Sequence, residues 1–461
     1  MNLNWGMEMK FKPYSKYKDS RIQWIGKIPK EWEIRKFSSF GFFSSSGINK
    51  KIEPDEPLVK MVNYTDIYGN DSLVIDLKRD LMTVSCPKEK IIFCDLKKGD
   101  IVFTPSSETE EDIGLSAVIL ENLKNTVFSY HVIRFRTIIK INLHYKKYIG
   151  NNHFVLSQFS RICKGTTRQI LTHNDFKSIL TILPPLQDQI AIADFLDKKT
   201  ARIDVLIEKD KKLIELLKER RTALINHAMT KGLDPNAKMK DSGIEWIGEI
   251  PEGWEVRKLK QVTSISISNV DKKSKPDEKD VLLCNYNEVY NKESITSNLS
   301  FMKATATIEQ IKKFSIKKGD VIITKDSETY EDIAIPSLVE ENLNNIVCGY
   351  HLALIRPNES KIKGEFLLRI FQSRKINYQF IVSANGITRF GISTYPIKNS
   401  FVIVPPIPEQ ITIINFLDES IAKIDKIIQK IQQKIKLLEE YKKSLIHHVV
   451  TGKVDVREVK V

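Results

Sequence analysis

The chain repeats itself once, and this constrains its fold more than any other feature. Asp19-Ser20-Arg21-Ile22-Gln23-Trp24-Ile25-Gly26-Lys27-Ile28-Pro29 returns as Asp241-Ser242-Gly243-Ile244-Glu245-Trp246-Ile247-Gly248-Glu249-Ile250-Pro251, at an offset of 241 − 19 = 222. Trp32 and Trp254 follow in the same register. Lys97-Lys98-Gly99-Asp100 returns as Lys317-Lys318-Gly319-Asp320, Ser107-Glu108-Thr109 as Ser327-Glu328-Thr329, and Tyr130-His131 as Tyr350-His351, now at an offset of 220. Gly165-Thr166-Thr167-Arg168 matches Gly386-Ile387-Thr388-Arg389, and Pro184-Pro185 matches Pro405-Pro406, at an offset of 221. Drifts of one or two residues are small loop insertions and deletions. A period near 220 is far too long for a solenoid. It means two whole domains of one kind in tandem.

Each half opens with a polar segment ending in Ile-Pro and Trp. Short β-branched and aromatic runs follow, broken by Gly, Asn, Asp and Pro. Strands are expected over Ile101–Thr104 and Val321–Thr324, and also at Val132–Phe135 and Ile179–Ile182. The class expected is α+β: two similar domains separated by two long helices. The pattern changes after each Pro-Pro pair, because proline is tolerated at a helix start and not inside one. From about Gln187 to Met229, and from about Glu409 to Val450, no Pro or Gly occurs.

Within these stretches the apolar positions step by four and three. Ile203, Ile207, Asp210, Ile214, Leu217, Arg221, Leu224 and Ala228 form one seam. Ile424, Ile428, Ile431, Ile435, Leu438, Lys442, Leu445 and Val449 form its twin. Such a register is that of a coiled coil. Two long helices of one chain with matching seams are expected to pair, antiparallel if internal two-fold symmetry relates them. Arg221 and Lys442 hold matching polar seam positions, with Asp210 a tempting partner. The parts so read are an N-terminal extension over 1–18, with Met1 to Met9 resembling an upstream start, then a first domain over 19–185 and a central helix over 186–232. A second domain with its linker follows over 233–406, then a C-terminal helix and tail over 407–461.

Composition narrows the partners. The formal charge is +14, which favours a polyanion. No stretch of about 18 apolar residues is present, and Met1–Lys18 lacks the apolar centre of a signal peptide, so a cytoplasmic chain is expected. The cysteines are Cys86, Cys94, Cys163, Cys284 and Cys348, with no CxxC pair, and the histidines make no HExxH. Buried thiols are expected, with no disulfide framework and no metal site. No GxxxxGK[ST] loop, Gly-rich fingerprint or amino-methyltransferase frame appears, so no catalytic residue is expected on this chain.

These residues together resemble the specificity subunits of type I restriction-modification systems. The resemblance runs from about Lys12 to Val456. It rests on the twice-occurring Asp-Ser-x-Ile-x-Trp-Ile-Gly-x-Ile-Pro segment, the Gly-Asp strand with Ser-Glu-Thr-x-Glu-Asp-Ile, the Gly-x-Thr-Arg segment, and Leu-Pro-Pro-Leu-Gln-Asp-Gln with Val-Pro-Pro-Ile-Pro-Glu-Gln. It implies two target recognition domains that read a split site in double-stranded DNA. It also implies two modification (methyltransferase) subunits and restriction (ATP-dependent translocase and nuclease) subunits as partners. S-adenosylmethionine, ATP and Mg would serve those partners, with no cofactor on this chain. A two-domain coiled-coil adaptor without DNA specificity is the competing reading.

DNA-contact candidates follow from side-chain chemistry. Thr167, Arg168, Thr388 and Arg389 precede the strand that leads to the helix in each half, and arginine reads guanine or clamps phosphate. A turn with the arginine paired to a carboxylate is the structural alternative. Ser107 and Ser327 can bond to phosphates or base amines, but a loop-stabilising Ser turn is the favoured reading. Asn63-Tyr64 and Asn285-Tyr286 divide evenly between adenine contact and turn. Tyr130-His131 and Tyr350-His351 can stack or hydrogen-bond at the groove, but a satisfied core pair is the favoured reading. The two halves differ over Ser38–Met61 and Lys260–Leu283, which points to unlike half-sites.

Overall fold

A computed structural model of the chain describes residues 12–459. Residues 1–11 of the expected N-terminal extension, including Met1 to Met9, lie outside the described residues. The chain divides into two compact units, Met1–Asp210 with Gln433–Val461, and Lys211–Gln432.

In the first unit the Lys-Lys-Gly-Asp segment makes a tight turn. Gly99 adopts φ +87°, and the Asp100 carboxylate accepts the Lys97 N–H at 2.8 Å. The turn launches the strand Ile101–Phe103, which is buried on both faces. It lies at the centre of a five-stranded sheet in the order Gly41–Ser45, Ile133–Thr137, Ile101–Phe103, Ser116–Ile119, Val74–Ile75. The last pair is parallel and the others antiparallel. Asp100 also ties the turn to the neighbouring strand, because Arg136 grips its carboxylate with two bonds of 2.8 and 2.7 Å. A three-stranded sheet, Thr126–Phe128, Leu58–Val62 and Met82–Ser85, carries its own small core.

The larger core is aromatic, with Phe37, Phe43, Phe103, Phe135 and Phe176 in mutual contact; the Phe43 and Phe135 rings are 4.6 Å apart. Such pairs add about 0.5–1.5 kcal/mol beyond the area they bury. The opening segment closes on the strand before the helix, because Glu33–Lys36 pairs antiparallel with Leu180–Leu183.

The second unit repeats this plan. Its five-stranded sheet runs Thr263–Ile267, Leu352–Pro357, Val321–Thr324, Pro336–Val339, Ser294–Ile295, and its three-stranded sheet Met302–Ala306, Lys279–Cys284, Ile346–Cys348. Gly319 has the same φ of +87°, and Arg356 grips Asp320 at 2.8 and 2.6 Å.

The two long helices span Leu186–Lys231 and Ile407–Val450. A buried glutamine anchors each start. Gln189 donates to the Pro184 carbonyl at 2.8 Å and accepts the Asn142 N–H at 2.9 Å. Gln410 repeats this with Pro405 at 2.9 Å and the Lys363 N–H at 3.0 Å. Within the first unit the helices pack antiparallel: Asp204 pairs with Lys442 at 2.6 Å and Asp210 with Lys434 at 3.0 Å, while Ile203 and Ile207 join Leu445 and Val449 in the core. Ile435 and Leu438 pack beside them, half-buried.

Within the second unit Leu224, Ile225, Ala228 and Met229 pack in one cluster with Ile414, Leu417 and Ile421. Ile214, Ile424, Ile428 and Ile431 are buried, and Leu217 is half-buried. Neither Arg221 nor Lys442 takes up Asp210, the tempting partner. Asp210 is held by Lys434; Arg221 bonds instead to Glu293 and lies 3.6 Å from Asp425. Lys434 flanks the apolar seam, next to Ile435, and its flexible stem lets the ammonium reach the seam carboxylate from the side.

Among the described residues no helix is long and apolar enough to cross a membrane, and no group of His, Cys, Asp and Glu is arranged to hold a metal ion. All five cysteines are free; four are buried and Cys163 is half-buried.

Candidate nucleic-acid interface

Side chains singled out in the sequence gather around one cleft in the second unit, and their counterparts in the first unit lie close to one another. The cleft measures about 590 Å3, and Asn285, Tyr286, Ser327, Tyr350, His351 and Arg389 all line it.

The cleft wall is built by a short strand pair. Ser327 lies on Asp326–Ser327, which pairs antiparallel with Phe390–Gly391, so the arginine before that strand is delivered beside the serine. In the first unit Ser106–Ser107 pairs with Gln169–Ile170 and delivers Arg168 in the same way. The glycine of the Gly-x-Thr-Arg segment is required by this bend. Gly165 and Gly386 both have φ +151°, and a Cβ there would sit 1.9 Å from the carbonyl oxygen of Arg168 or Arg389.

Arg168 lies over the Tyr64 ring, its guanidinium carbon 5.9 Å from the centroid. Tyr64 in turn stacks on Tyr68 at 5.3 Å, as Tyr286 does on Tyr290 at 5.4 Å. The outer tyrosine of each pair bonds to an aspartate: Tyr68 to Asp112 at 3.4 Å and Tyr290 to Asp332 at 3.0 Å. Both arginines are exposed, and among the described residues neither makes a salt bridge. The carboxylate-paired alternative therefore does not describe them. Thr167 and Thr388 are exposed beside them.

The other candidates have local duties. Ser107 and Ser327 are buried and accept the N–H of Thr109 and Thr329 at 3.3 and 3.4 Å, a Ser turn. Thr109 and Thr329 donate to Asp112 and Asp332 at 3.2 and 3.0 Å. Asn63 and Asn285 are buried N-caps of a helical turn, and Asn63 also accepts the Ser129 hydroxyl at 3.1 Å. A buried cap has little freedom to reach a base, so the tyrosines beside them are the exposed part of the motif.

The Tyr-His pairs differ from expectation. Tyr130 is 51% exposed, and His131 is half-buried rather than in the core. The reason is the turn they occupy, which leaves the three-stranded sheet and enters the five-stranded one at the cleft mouth. His351 there takes φ +68°. The rings lie against each other at 3.8 and 3.9 Å.

Burial lifts the Tyr64 phenol above its ordinary pKa, while the Ser107 hydroxyl and the Arg168 charge pull it down. Burial, then the Arg168 and Lys50 charges, hold the His131 imidazole below its ordinary value. His351 is paired differently, to Asp326.

Sequence reasoning missed Tyr68, Tyr290, Lys50 and Lys272. A signal was available: each recurs at the offset of 222, and each outer tyrosine follows its partner by four residues, one helical turn.

Comparison with known proteins agrees with this architecture. The family model of the type I restriction modification DNA specificity domain matches twice, over residues 29–217 and 251–437. The chain belongs to that family. Among curated relatives, the MjaIX specificity subunit of Methanocaldococcus jannaschii is 23% identical, with 98% of this chain and 99% of that protein aligned. The MjaVIII specificity subunit of the same organism is 25% identical over 64% of this chain and 67% of that protein. The EcoKI specificity subunit of Escherichia coli is 21% identical over 64% of this chain and 62% of that one. A chain solved in a study of complex assembly and conformational transition of the type I R-M system has a TM-score of 0.68 at 14% identity, covering 93% of this chain and 99% of its own. The HsdS subunit of Thermoanaerobacter tengcongensis has a TM-score of 0.50 at 15% identity, covering 93% and 98%.

Proposed function

We propose that this chain is the non-catalytic, sequence-reading subunit of a type I restriction-modification complex. Each unit reads one half of a split site in double-stranded DNA. The chain docks two modification subunits, and restriction subunits join them, in the cytoplasm. S-adenosylmethionine, ATP and Mg serve those partners.

The observation that carries this reading is the twice-built cluster of tyrosine stack and exposed arginine, the arginine making no salt bridge among the described residues. Such a guanidinium can bond bidentately to guanine O6 and N7. The charge of +14 supplies phosphate attraction that positions the chain without specifying sequence. Glu328 and Asp332 offset the charges of Lys272 and Arg389 in the second cleft, and Glu328 offers an acceptor for base amino groups.

The test is reconstitution. The chain alone with S-adenosylmethionine and duplex DNA is expected to transfer no methyl groups; adding a modification subunit is expected to produce methylation at a split site. Exchanging residues of about 20–180 for the same region of a relative should change one half-site only. Robust methylation by the single chain would overturn the reading, as would an assembled complex that binds duplex DNA without sequence preference.

A further inference from the structure

The residues that line the second cleft have like counterparts gathered in the first unit, although the halves around them diverge. Tyr64, Tyr68 and Lys50 correspond to Tyr286, Tyr290 and Lys272. Ser107, Glu108 and Asp112 correspond to Ser327, Glu328 and Asp332, and Arg168 to Arg389. The geometry is shared as well as the residue types: the tyrosine stacks differ by 0.1 Å, from 5.3 to 5.4 Å, and the glycine that turns each arginine has the same φ of +151°. Packing does not account for this. Glu108, Glu328, Arg168 and Arg389 are all exposed, where substitution costs little stability.

The groups held in common (arginine, tyrosine stack and Ser-Glu-Thr turn) meet the same chemical edges in both units and cannot by themselves tell two unlike half-sites apart. Differences must be read where the lining diverges, as it does already at His351, which is held by Asp326 where the first unit has Ser106 and His131. Asn287 and Asn291 line the second cleft, and the first unit has Thr65 and Gly69 in their places. Next to the arginines, Thr166 stands against Ile387, which is 96% exposed.

We propose that the two clusters hold one base step common to both half-sites, and that the differing bases are read by Thr65, Gly69 and Thr166 in one unit and Asn287, Asn291 and Ile387 in the other. This rests on the DNA-reading function above. The common step offers a guanine edge to Arg168 or Arg389, and a cytosine or adenine amino group to Glu108 or Glu328. Asparagine at the divergent positions pairs with adenine N6 and N7, which threonine and glycine cannot do bidentately.

The experiment maps methylated sites made by the complete complex of this chain with its modification subunit. The parent complex is expected to show one base step shared by both half-sites at equal distance from the methylated base. Arg168→Ala should lose selection at that step by about tenfold or more in the first half-site alone, and Arg389→Ala in the second alone, with melting unchanged. The variant Thr65→Asn, Gly69→Asn, Thr166→Ile should move the flanking bases of the first half-site toward those of the second and keep the common step. It is compatible with the fold, because Gly69 has φ +72° with no atom within 4 Å of an added Cβ, and asparagine tolerates that region best among side-chain-bearing residues.

Half-sites without a common step overturn the proposal. So do arginine variants that weaken all duplexes equally with a reduced salt slope, which is the mark of phosphate contacts. A triple variant that folds and leaves the first half-site unchanged overturns the division of labour. A parent complex that methylates no split site overturns the DNA-reading function itself, and this proposal with it.

Discussion

The Trp32 indole N–H donates to the Asp188 carboxylate at 2.8 Å, and so ties the opening segment of the first unit to the first turn of the central helix. Its counterpart in the second unit, Trp254, is equally buried, but its N–H has no partner among the described residues. The difference lies in one methylene. Glu409 occupies the place of Asp188, and one of its carboxylate oxygens lies 3.5 Å from where a Cβ on Gly232 would be. Asp188→Ala should therefore strand a buried donor and cost about 1–3 kcal/mol, whereas Glu409→Ala should cost less. Denaturant unfolding of the two variants checks the asymmetry.

Asp210 is a buried carboxylate in a seam otherwise largely apolar, and Lys434 bonds to it at 3.0 Å. Lys434→Met should destabilise the chain by roughly 1–3 kcal/mol, discounted because the lysine is half in solvent. The double change Asp210→Leu with Lys434→Leu should be neutral or stabilising, since it replaces an ion pair by apolar packing. A double-mutant cycle in thermal unfolding reads both outcomes.

Gly165→Ala and Gly386→Ala each drive a methyl group into the carbonyl of the arginine they support. Each should destabilise its unit by more than about 1 kcal/mol. Each should also lower selectivity at one half-site while leaving the other intact. Methylation mapping beside calorimetry separates the two effects, and loss at both half-sites together would contradict the independence of the two units.

His447 is held neutral in the fold. Burial, then the neighbouring His448, His153 and Lys453, lower its pKa from 6.5 to about 4. Its Nδ1 is buried with no hydrogen-bond partner among the described residues. The unfolded chain takes up this proton below about pH 6.5, and the folded chain only near pH 4. Stability should thus fall as pH drops through that window, and be unaffected by this group above it. His447→Gln should flatten the fall. Melting temperature measured against pH, parent beside variant, is the check.

Much of this protein was determined by its sequence alone. The repeat specified two similar domains, because a period of about 220 residues leaves room for nothing smaller. The strands after Lys-Lys-Gly-Asp and the two long helices were legible because they depend on local patterns: a glycine turn, β-branched runs, and an unbroken heptad register. The seam isoleucines were legible for the same reason, since burial of one helix face follows from spacing.

What only the tertiary structure decided is which distant residues meet. Tyr64, Ser107 and Arg168 are widely separated in sequence, and the strand pair that joins them has two residues on each side, too short to show a pattern. The core expectation for Tyr130-His131 failed for a related reason. Aromatic character predicts burial only on average, and a sharp turn between two sheets brought those rings out of the core. The partner of Asp210 was likewise hidden, because a lysine flanking the seam reaches its carboxylate by the length of its stem. Spacing specifies which face a residue occupies. The reach of a side chain across that face, and the strand that crosses it, are settled by packing.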